Sequence, residues 1–175
     1  MRSLALALLV ATIVASPVAA KCRSSAIEVS GGALAEVLSI REPDVVSQFH
    51  IWQGPGVRIN DKPVHEDPER QQGAFIDWPR GEATGRPKDL ERYQVAFLCP
   101  EAGDSPHARY VVYYEFDPAH DGGFMSLPGR PDPLFASNTF SIYHGVEGKW
   151  FQSSAAWERL MRPRIEAARR EQQGS

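Results

Sequence analysis

Apolar and polar side chains alternate most regularly between positions 109 and 117, and this stretch predicts the central strand of the fold. Successive side chains of a strand point to opposite faces, so the alternation gives one apolar face and one mixed face. Turn-forming residues follow at 117–123, and the apolar run 124–127 can return beside the strand, so the pattern predicts a β-hairpin. The apolar face consists of Tyr110, Val112, Tyr114 and Phe116.

Five other stretches carry strand patterns. Residues 93–99 alternate as clearly as the central strand, and shorter apolar runs occur at 26–29, 74–78 and 139–144. Residues 33–40 fit a strand or a helix, and we favour the second strand of a hairpin. The polar residues 100–108 are predicted to form a loop, and strands joined by a loop of that size usually pair antiparallel.

A helical period appears near the C-terminus, where apolar residues recur every three or four positions, as in a helix that covers a sheet. Ser153 or Ser154 can cap this helix, and Pro163 should kink or restart it. Residues 42–48 predict a short helical turn, and residues 171–175 should fray. The apolar stripe consists of Trp157, Leu160, Met161 and Ile165.

These elements predict a single α+β domain over residues 21–175. Its mostly antiparallel sheet has about five strands, with the C-terminal helix packed on one face. Residues 54–73 hold three prolines and little apolar periodicity, which predicts a long loop. Loops of this length are either functional or mobile.

The N-terminus has the pattern of a secretory signal peptide over residues 1–20. Arg2 precedes an apolar run from 4 to 15, and small residues at 18–20 suit cleavage. Cleavage after Ala20 leaves 155 residues (175 minus 20) and no predicted transmembrane segment. We expect a periplasmic or secreted protein. Lipid attachment at Cys22 is the alternative, and Lys21 immediately before the cysteine argues against it.

The chain has two cysteines, Cys22 and Cys99. An exported protein meets an oxidising compartment, so an intramolecular disulfide between them is the leading prediction. A reactive thiol or metal ligand is the alternative. Neither cysteine lies in a CxxC motif or near a histidine at ligand spacing, which counts against that alternative.

The formal charge is −3 for the whole chain and −4 once Arg2 is removed, which does not favour a nucleic-acid partner. Basic residues of the C-terminal helix alternate with acidic ones, a pattern typical of a solvated helix face. No cofactor is expected. The partner is unknown, and the candidates are an envelope polymer and a protein.

Two acidic clusters with histidine are candidate metal or catalytic sites. One is the run 65–69, with His65, and the other is the predicted hairpin turn after Glu115. Histidine and carboxylates can hold a metal ion, and a histidine beside a carboxylate can act as a general base. Both clusters also suit ordinary solvated turns. The turn candidates are Asp117, His120 and Asp121.

Aromatic and polar residues form a third group that could line a binding groove if its strands were neighbours. Indole rings stack on sugars, and polar groups beside them bind hydroxyls or carboxylates. The tryptophans are equally suited to the core. The group consists of His50, Trp52, Asp77, Trp78, Arg80, Tyr143 and His144.

The segments FHIWQGPG (49–56), AFIDWPRG (74–81), YVVYYEFDP (110–118), GGFMSLPG (122–129) and GVEGKWF (145–151) resemble a family of small exported bacterial proteins. That resemblance spans most of the chain after residue 20. It implies export and a bacterial envelope setting. The family has no assigned activity, so the resemblance transfers no site residues.

The sequence therefore favours an exported binding domain without enzymatic activity. It contains no GxSxG, HExxH, phosphate-loop, dinucleotide-binding or EF-hand motif, and no serine carries a motif that supplies a base. One alternative is a metal-dependent or acid/base hydrolase, and the other is a periplasmic structural protein without a small ligand. The first catalytic candidates would be His50, Asp77, His120 and Asp121.

Overall fold

The computed structural model describes residues 23–51, 54–55, 57–67, 69, 73–101, 104–138 and 145–174. Several sequence predictions fall outside these residues. They are the signal peptide over 1–20, the half-cystine Cys22, the strand at 139–144, and the binding candidates Trp52, Tyr143 and His144.

The fold is α+β, with a six-stranded antiparallel sheet in the order β2-β1-β5-β6-β7-β8. A separate two-stranded hairpin, β3-β4, lies within the predicted long loop. In chain order the strands are β1 (Ala26–Gly31), β2 (Leu38–Ile40), β3 (Arg58–Ile59), β4 (Lys62–Pro63), β5 (Glu91–Glu101), β6 (Asp104–Phe116), β7 (Gly123–Ser126) and β8 (Trp150–Gln152).

The hairpin formed by β5 and β6 at the centre of the sheet is longer than the sequence pattern predicts. The two strands pair as far as Glu101 opposite Asp104, so the predicted loop at 100–108 is wrong. Register shifts occur after Phe97 and after Cys99. A β-bulge adds an unpaired residue and interrupts strict alternation, which is why this end of the hairpin does not look like strand in the sequence.

The helices of the described residues are α1 (Pro43–Val46), α2 (Ala155–Leu160) and α3 (Arg162–Gln173). Ser154 caps α2 by accepting a hydrogen bond from the amide of Trp157 at 3.1 Å. Pro163 lies in the first turn of α3, so the predicted restart is confirmed. Helical structure continues through Gln173. No helix of the described chain combines the length and apolarity needed to cross a bilayer.

The apolar stripe of α2 and α3 closes the core over the sheet. Trp157 is fully buried, and its ring centroid lies 5.1 Å from that of Phe49 and 5.5 Å from that of Tyr114. Phe75 approaches the same indole at 6.5 Å. The face of β6 predicted to be apolar is therefore the one that the C-terminal helices cover.

Residues 74–78 do not form the predicted strand. Ile76 makes an isolated bridge to Ser153, and Trp78–Arg80 is a 3-10 turn with Pro79 inside it. Proline has no amide hydrogen, so it ends strand pairing at this point. The segment is apolar because Ala74, Phe75 and Ile76 enter the core.

Candidate functional site

A pocket of about 690 Å³ lies where the turn at 78–80, the hairpin turn between β6 and β7, and the helices α2 and α3 meet. We call it the helix pocket. Asp77, Ser153 and Gln152 line it beside charged residues of the helices. Its acidic lining residues are Asp77, Asp121, Glu158 and Glu166, and its basic ones are Arg80, Arg159 and Arg162.

Most of these charges are paired within the protein. Asp77 Oδ2 lies 3.3 Å from Arg80 Nε. Arg162 contacts Glu158 at 3.2 Å and Glu166 at 2.9 Å, one helical turn to either side. The Arg162 side chain is only 12% exposed, so this triad is a partly buried wall of the pocket.

Glu158 links the helix to the sheet beneath it. Its Oε1 accepts hydrogen bonds from the hydroxyl of Tyr114 at 2.8 Å and from Ser153 Oγ. Burial and then the charge of Glu158 raise the pKa of Tyr114 far above its usual range, so this phenol stays neutral. Ser153 Oγ also accepts from the amide of Gly123 at 3.0 Å.

Gly123 makes the tight approach of β6 and β7 possible at this point. A Cβ on Gly123 would lie 2.5 Å from the Tyr114 ring, closer than side chains tolerate. The absence of that atom lets the strand pass over the ring and meet Ser153. The floor of the pocket is therefore a fully bonded polar network over the aromatic core.

Two opposite charges in the helix pocket have no partner among the described residues. Neither the carboxylate of Asp121 nor the guanidinium of Arg159 makes a hydrogen bond or ion pair there. The side-chain amide of Gln152 is also without a partner in that part of the chain. These three groups are available to a ligand.

A second hollow of about 440 Å³ adjoins the helix pocket and shares Asp77, Ala155 and Arg159 with it. Its other lining is mostly apolar, with Ile76, Pro79 and Ala156. Arg159 thus lies between a charged compartment and an apolar one. The two together form a groove along the start of α2.

The sequence candidates separate into two groups in the structure. Asp77, Arg80 and Asp121 all line the helix pocket, although they came from different predicted clusters. Trp78 is 8% exposed and packs against Phe151 at 5.0 Å, so its ring belongs to the core.

His50 does not line the helix pocket and lies next to the core residue Phe49. Partial burial of its imidazole and then the positive charge of Arg23 hold the pKa of His50 below its usual 6.5. A histidine that stays neutral near pH 7 can act as a base, but none of the pocket's acidic groups is among the causes that shift its pKa. Asp77 and Asp121 line the helix pocket and His50 does not, so the pocket does not bring these three catalytic candidates together.

The hairpin turn between β6 and β7 is held by the side chains of Asp117 and Arg162. Asp117 accepts from the amide of Ala119 at 2.8 Å and contacts His120 Nδ1 at 2.7 Å. The Ala119 hydrogen bond and then the His120 contact lower the pKa of Asp117. Arg162 donates to the carbonyl oxygens of Asp117 and His120 at 2.9 and 2.8 Å, which fastens the turn to α3.

Metal-ligating side chains do not converge in the described part of the chain, where no group of three or more histidine, cysteine or acidic residues could hold an ion. His65 and Glu66 approach each other at 3.6 Å in the first acidic cluster. Cys99 is buried on β5. Its predicted partner, Cys22, lies outside the described residues, and the pairing stays a prediction.

Sequence reasoning missed the helical side of the pocket. Glu158, Arg159, Arg162 and Glu166 read as a solvated face because their charges alternate. The spacing of four residues from Glu158 to Arg162 and again to Glu166 does predict the ion pairs. It contains no signal that hairpin and 3-10 turns fold over that face.

No family model, curated protein or solved structure matches this chain. The resemblance to small exported bacterial proteins therefore stays a prediction.

Proposed function

We propose that the protein is an exported, non-enzymatic binding domain that holds a small zwitterionic ligand in the helix pocket. A zwitterion carries an ammonium and a carboxylate, as an amino acid or the end of a peptide does. The observation that carries this proposal is a pair of opposite charges, Asp121 and Arg159, that line one pocket and have no partner among the described residues.

The charge balance of the pocket supports a ligand with both signs. Four acidic and three basic side chains line the helix pocket, and the Asp77–Arg80 and Glu158–Arg162–Glu166 contacts satisfy five of these seven. The two that remain differ in sign. A guanidinium binds a carboxylate through paired hydrogen bonds, and a carboxylate binds an ammonium.

The size and lining of the groove suit a small molecule. The volume of about 690 Å³ lies within the range of ligand pockets, which is roughly 300 to 1,000 Å³. Gln152 adds an amide that can both donate and accept a hydrogen bond. The adjoining apolar hollow offers space for a hydrocarbon side chain next to the ammonium and carboxylate.

The polar groups of the pocket are arranged for holding rather than for proton transfer. Ser153 is engaged by both Gly123 and Glu158, and no histidine lines the pocket within the described ranges. His120 pairs with Asp117, and its side chain is 78% exposed in the turn. This arrangement supports binding over the acid/base hydrolase alternative.

The test is a ligand screen on the purified exported protein, read as the melting temperature. Ligands that bind only the folded state raise that temperature by mass action. We expect free amino acids or short peptides to raise it, and matched amines and carboxylic acids that carry a single charge to raise it less. Asp121→Asn and Arg159→Gln should each weaken binding about tenfold or more, since each removes one charged contact.

Arg170→Gln is the matched control, because Arg170 is an exposed arginine of α3 outside the pocket lining. It should bind the ligand like the unaltered protein. The proposal fails if no zwitterion shifts the melting temperature, which would favour the structural alternative. It also fails if the shift survives in both pocket variants.

A further inference from the structure

The face of the sheet opposite the helices carries a second charged site around Glu115 of β6. Glu115 is 1% exposed, and its carboxylate is flanked by two arginines. Arg92 Nε donates to Oε1 at 2.7 Å, and Arg86 Nη1 donates to Oε2. We call Arg86, Arg92 and the ring of Trp150 the arginine cradle.

Aromatic rings hold both guanidinium groups in place. The Arg86 guanidinium lies 4.3 Å from the centroid of Trp150, and the Arg92 guanidinium lies 5.5 Å from the same ring. Arg92 is also 5.1 Å from the ring of Tyr113, whose hydroxyl donates to Asp132 at 2.7 Å. Cation–π contacts at these distances restrict the positions of both guanidinium groups before any ligand arrives.

The two guanidinium groups have more N–H donors than the single buried carboxylate of Glu115 accepts. Each guanidinium has five N–H donors, and Glu115 accepts from one on each side. The other donors of Arg86 and Arg92 have no acceptor in the part of the chain that is described. A single carboxylate also neutralises only one of the two positive charges.

The cradle opens to solvent through a hollow of about 490 Å³ that Lys88 and Asp89 also line. Of its five charged lining residues, three are basic and two are acidic. The Arg92 side chain is 52% exposed and that of Arg86 is 24% exposed, while the carboxylate they share is hidden. The surface that a ligand meets is therefore predominantly cationic.

We propose that the arginine cradle is a second binding site, specific for an oxyanion group such as a carboxylate or phosphate. Glu115 holds the two guanidinium groups side by side, and their remaining N–H groups bind the oxyanion on the solvent side. Bidentate contact of this kind is the strongest recognition that arginine offers to such groups. This inference is independent of the helix pocket, because Glu115 and Tyr114 point to opposite faces of β6.

The experiment is calorimetric titration of the purified protein at constant ionic strength. The probes are inorganic phosphate, the sugar acid glucuronate, and neutral glucose as the uncharged counterpart. We expect saturable binding of phosphate, glucuronate or both, and none of glucose. The phosphate and glucuronate arms decide which oxyanion the cradle prefers.

Arg92→Gln should weaken that binding tenfold or more, while Arg130→Gln should leave it unchanged. Arg130 is an exposed arginine outside the cradle, so it is the matched control. Arg92 is the half-exposed member of the pair, and its loss leaves Arg86 beside Glu115. This variant should therefore still fold, which the melting temperature checks.

Glu115→Gln separates a ligand site from a purely structural ion pair. Removing the competing negative charge should tighten oxyanion binding while lowering the melting temperature. A lower melting temperature without tighter binding would overturn the proposal. The proposal would also be overturned if no oxyanion bound saturably, or if Arg92→Gln and Arg130→Gln weakened binding equally. The result for Arg92→Gln can be interpreted even if Glu115→Gln does not fold.

Discussion

Tyr113 and Tyr114 are consecutive residues of β6, yet their hydroxyls reach carboxylates on opposite sides of the sheet. Tyr114 is fully buried, stacks on Phe116 at 5.2 Å and donates to Glu158. Tyr113 is half-buried, lies against Arg92 and donates to Asp132. The same residue type therefore belongs to the core on one face and to a surface charge cluster on the other.

The two faces differ in how they are closed. On the Tyr114 face, α2 and α3 cover a continuous aromatic core. On the Tyr113 face, the buried apolar cluster is small, and the arginine cradle lies beyond it. That small cluster consists of Ala26, Ala96, Leu98 and Val111, with Leu134 packed against it. Within the described ranges, apolar burial is concentrated on the Tyr114 face, and the Tyr113 face carries exposed charge.

The largest expected difference between the faces comes from removing a core side chain on each. Trp157→Ala should lower the free energy of unfolding by about 3 to 5 kcal/mol, because it empties the centre of the aromatic core. Leu98→Ala, in the small cluster, should cost about 2 kcal/mol. Urea unfolding measures both, and equal losses would contradict the contrast between the faces. The loss of unfolding free energy for Trp157→Phe, which keeps an aromatic ring, should lie between the losses for these two alanine variants.

The ion-pair networks on the two faces also differ in their expected contribution to stability. Arg162→Met should cost about 3 kcal/mol, because it leaves Glu158 and Glu166 partly buried without their shared cation. Arg86→Met should cost about 2 kcal/mol, because Arg92 still donates to Glu115. The measurement is again urea unfolding. A larger loss for Arg86 would mean that the cradle, not the helix triad, is the more important structural ion pair.

The side chain of Ser154 caps α2 on the face of the sheet that the helices cover. Ser154→Ala should cost about 1 kcal/mol, since the amide of Trp157 loses its acceptor at the start of α2. Ser154 Oγ also donates to the carbonyl oxygen of Ala74, so the loss extends to the adjacent core segment. Ser154→Thr retains the hydroxyl and serves as the control. An unchanged stability in the alanine variant would show that the cap does not hold α2 to the sheet.

The smallest effect concerns alkaline pH and the Tyr113 face. Burial and then the hydrogen bond to Asp132 raise the pKa of Tyr113 from 10.0 to about 12. A raised pKa in the folded state stabilises the protein below the unfolded value, and this contribution disappears as pH rises from 10.0 to about 12. Tyr113→Phe should therefore show a shallower loss of stability in that interval.

Unfolding by urea at a series of alkaline pH values measures this effect. Tyr93, whose pKa is also raised to about 12, and Tyr114, whose pKa is raised further, are unchanged in the Tyr113→Phe variant and set the remaining slope. Identical slopes in the variant and the unaltered protein would contradict the assignment to Tyr113.

Local signals were enough to predict several elements. The alternation around Tyr114 predicts both the strand and the face that the helices cover, and the stripe through Trp157 predicts the helix that covers it. The serine cap and the restart at Pro163 follow from the chemistry of single residues. The predictions at 74–78 and 100–108 were wrong because proline and β-bulges act through strand pairing, which the local pattern does not record.

The functional groups needed the tertiary structure. Asp77, Asp121 and Arg159 are far apart in the chain, and only the folding of two turns over α2 and α3 places them in one pocket. Glu115 reads as one charge on a mixed strand face, and its burial depends on Arg86 and Arg92 folding over it.

Local sequence patterns predict the α+β class, the hairpin of β6 and β7 and the apolar face of β6, because these depend on neighbours within a few residues of each other. Which charges are paired, which are buried and which are available to a ligand follows from the three-dimensional fold. Electrostatic and hydrogen-bond partners are chosen through space, and their distance along the chain carries no information about that choice.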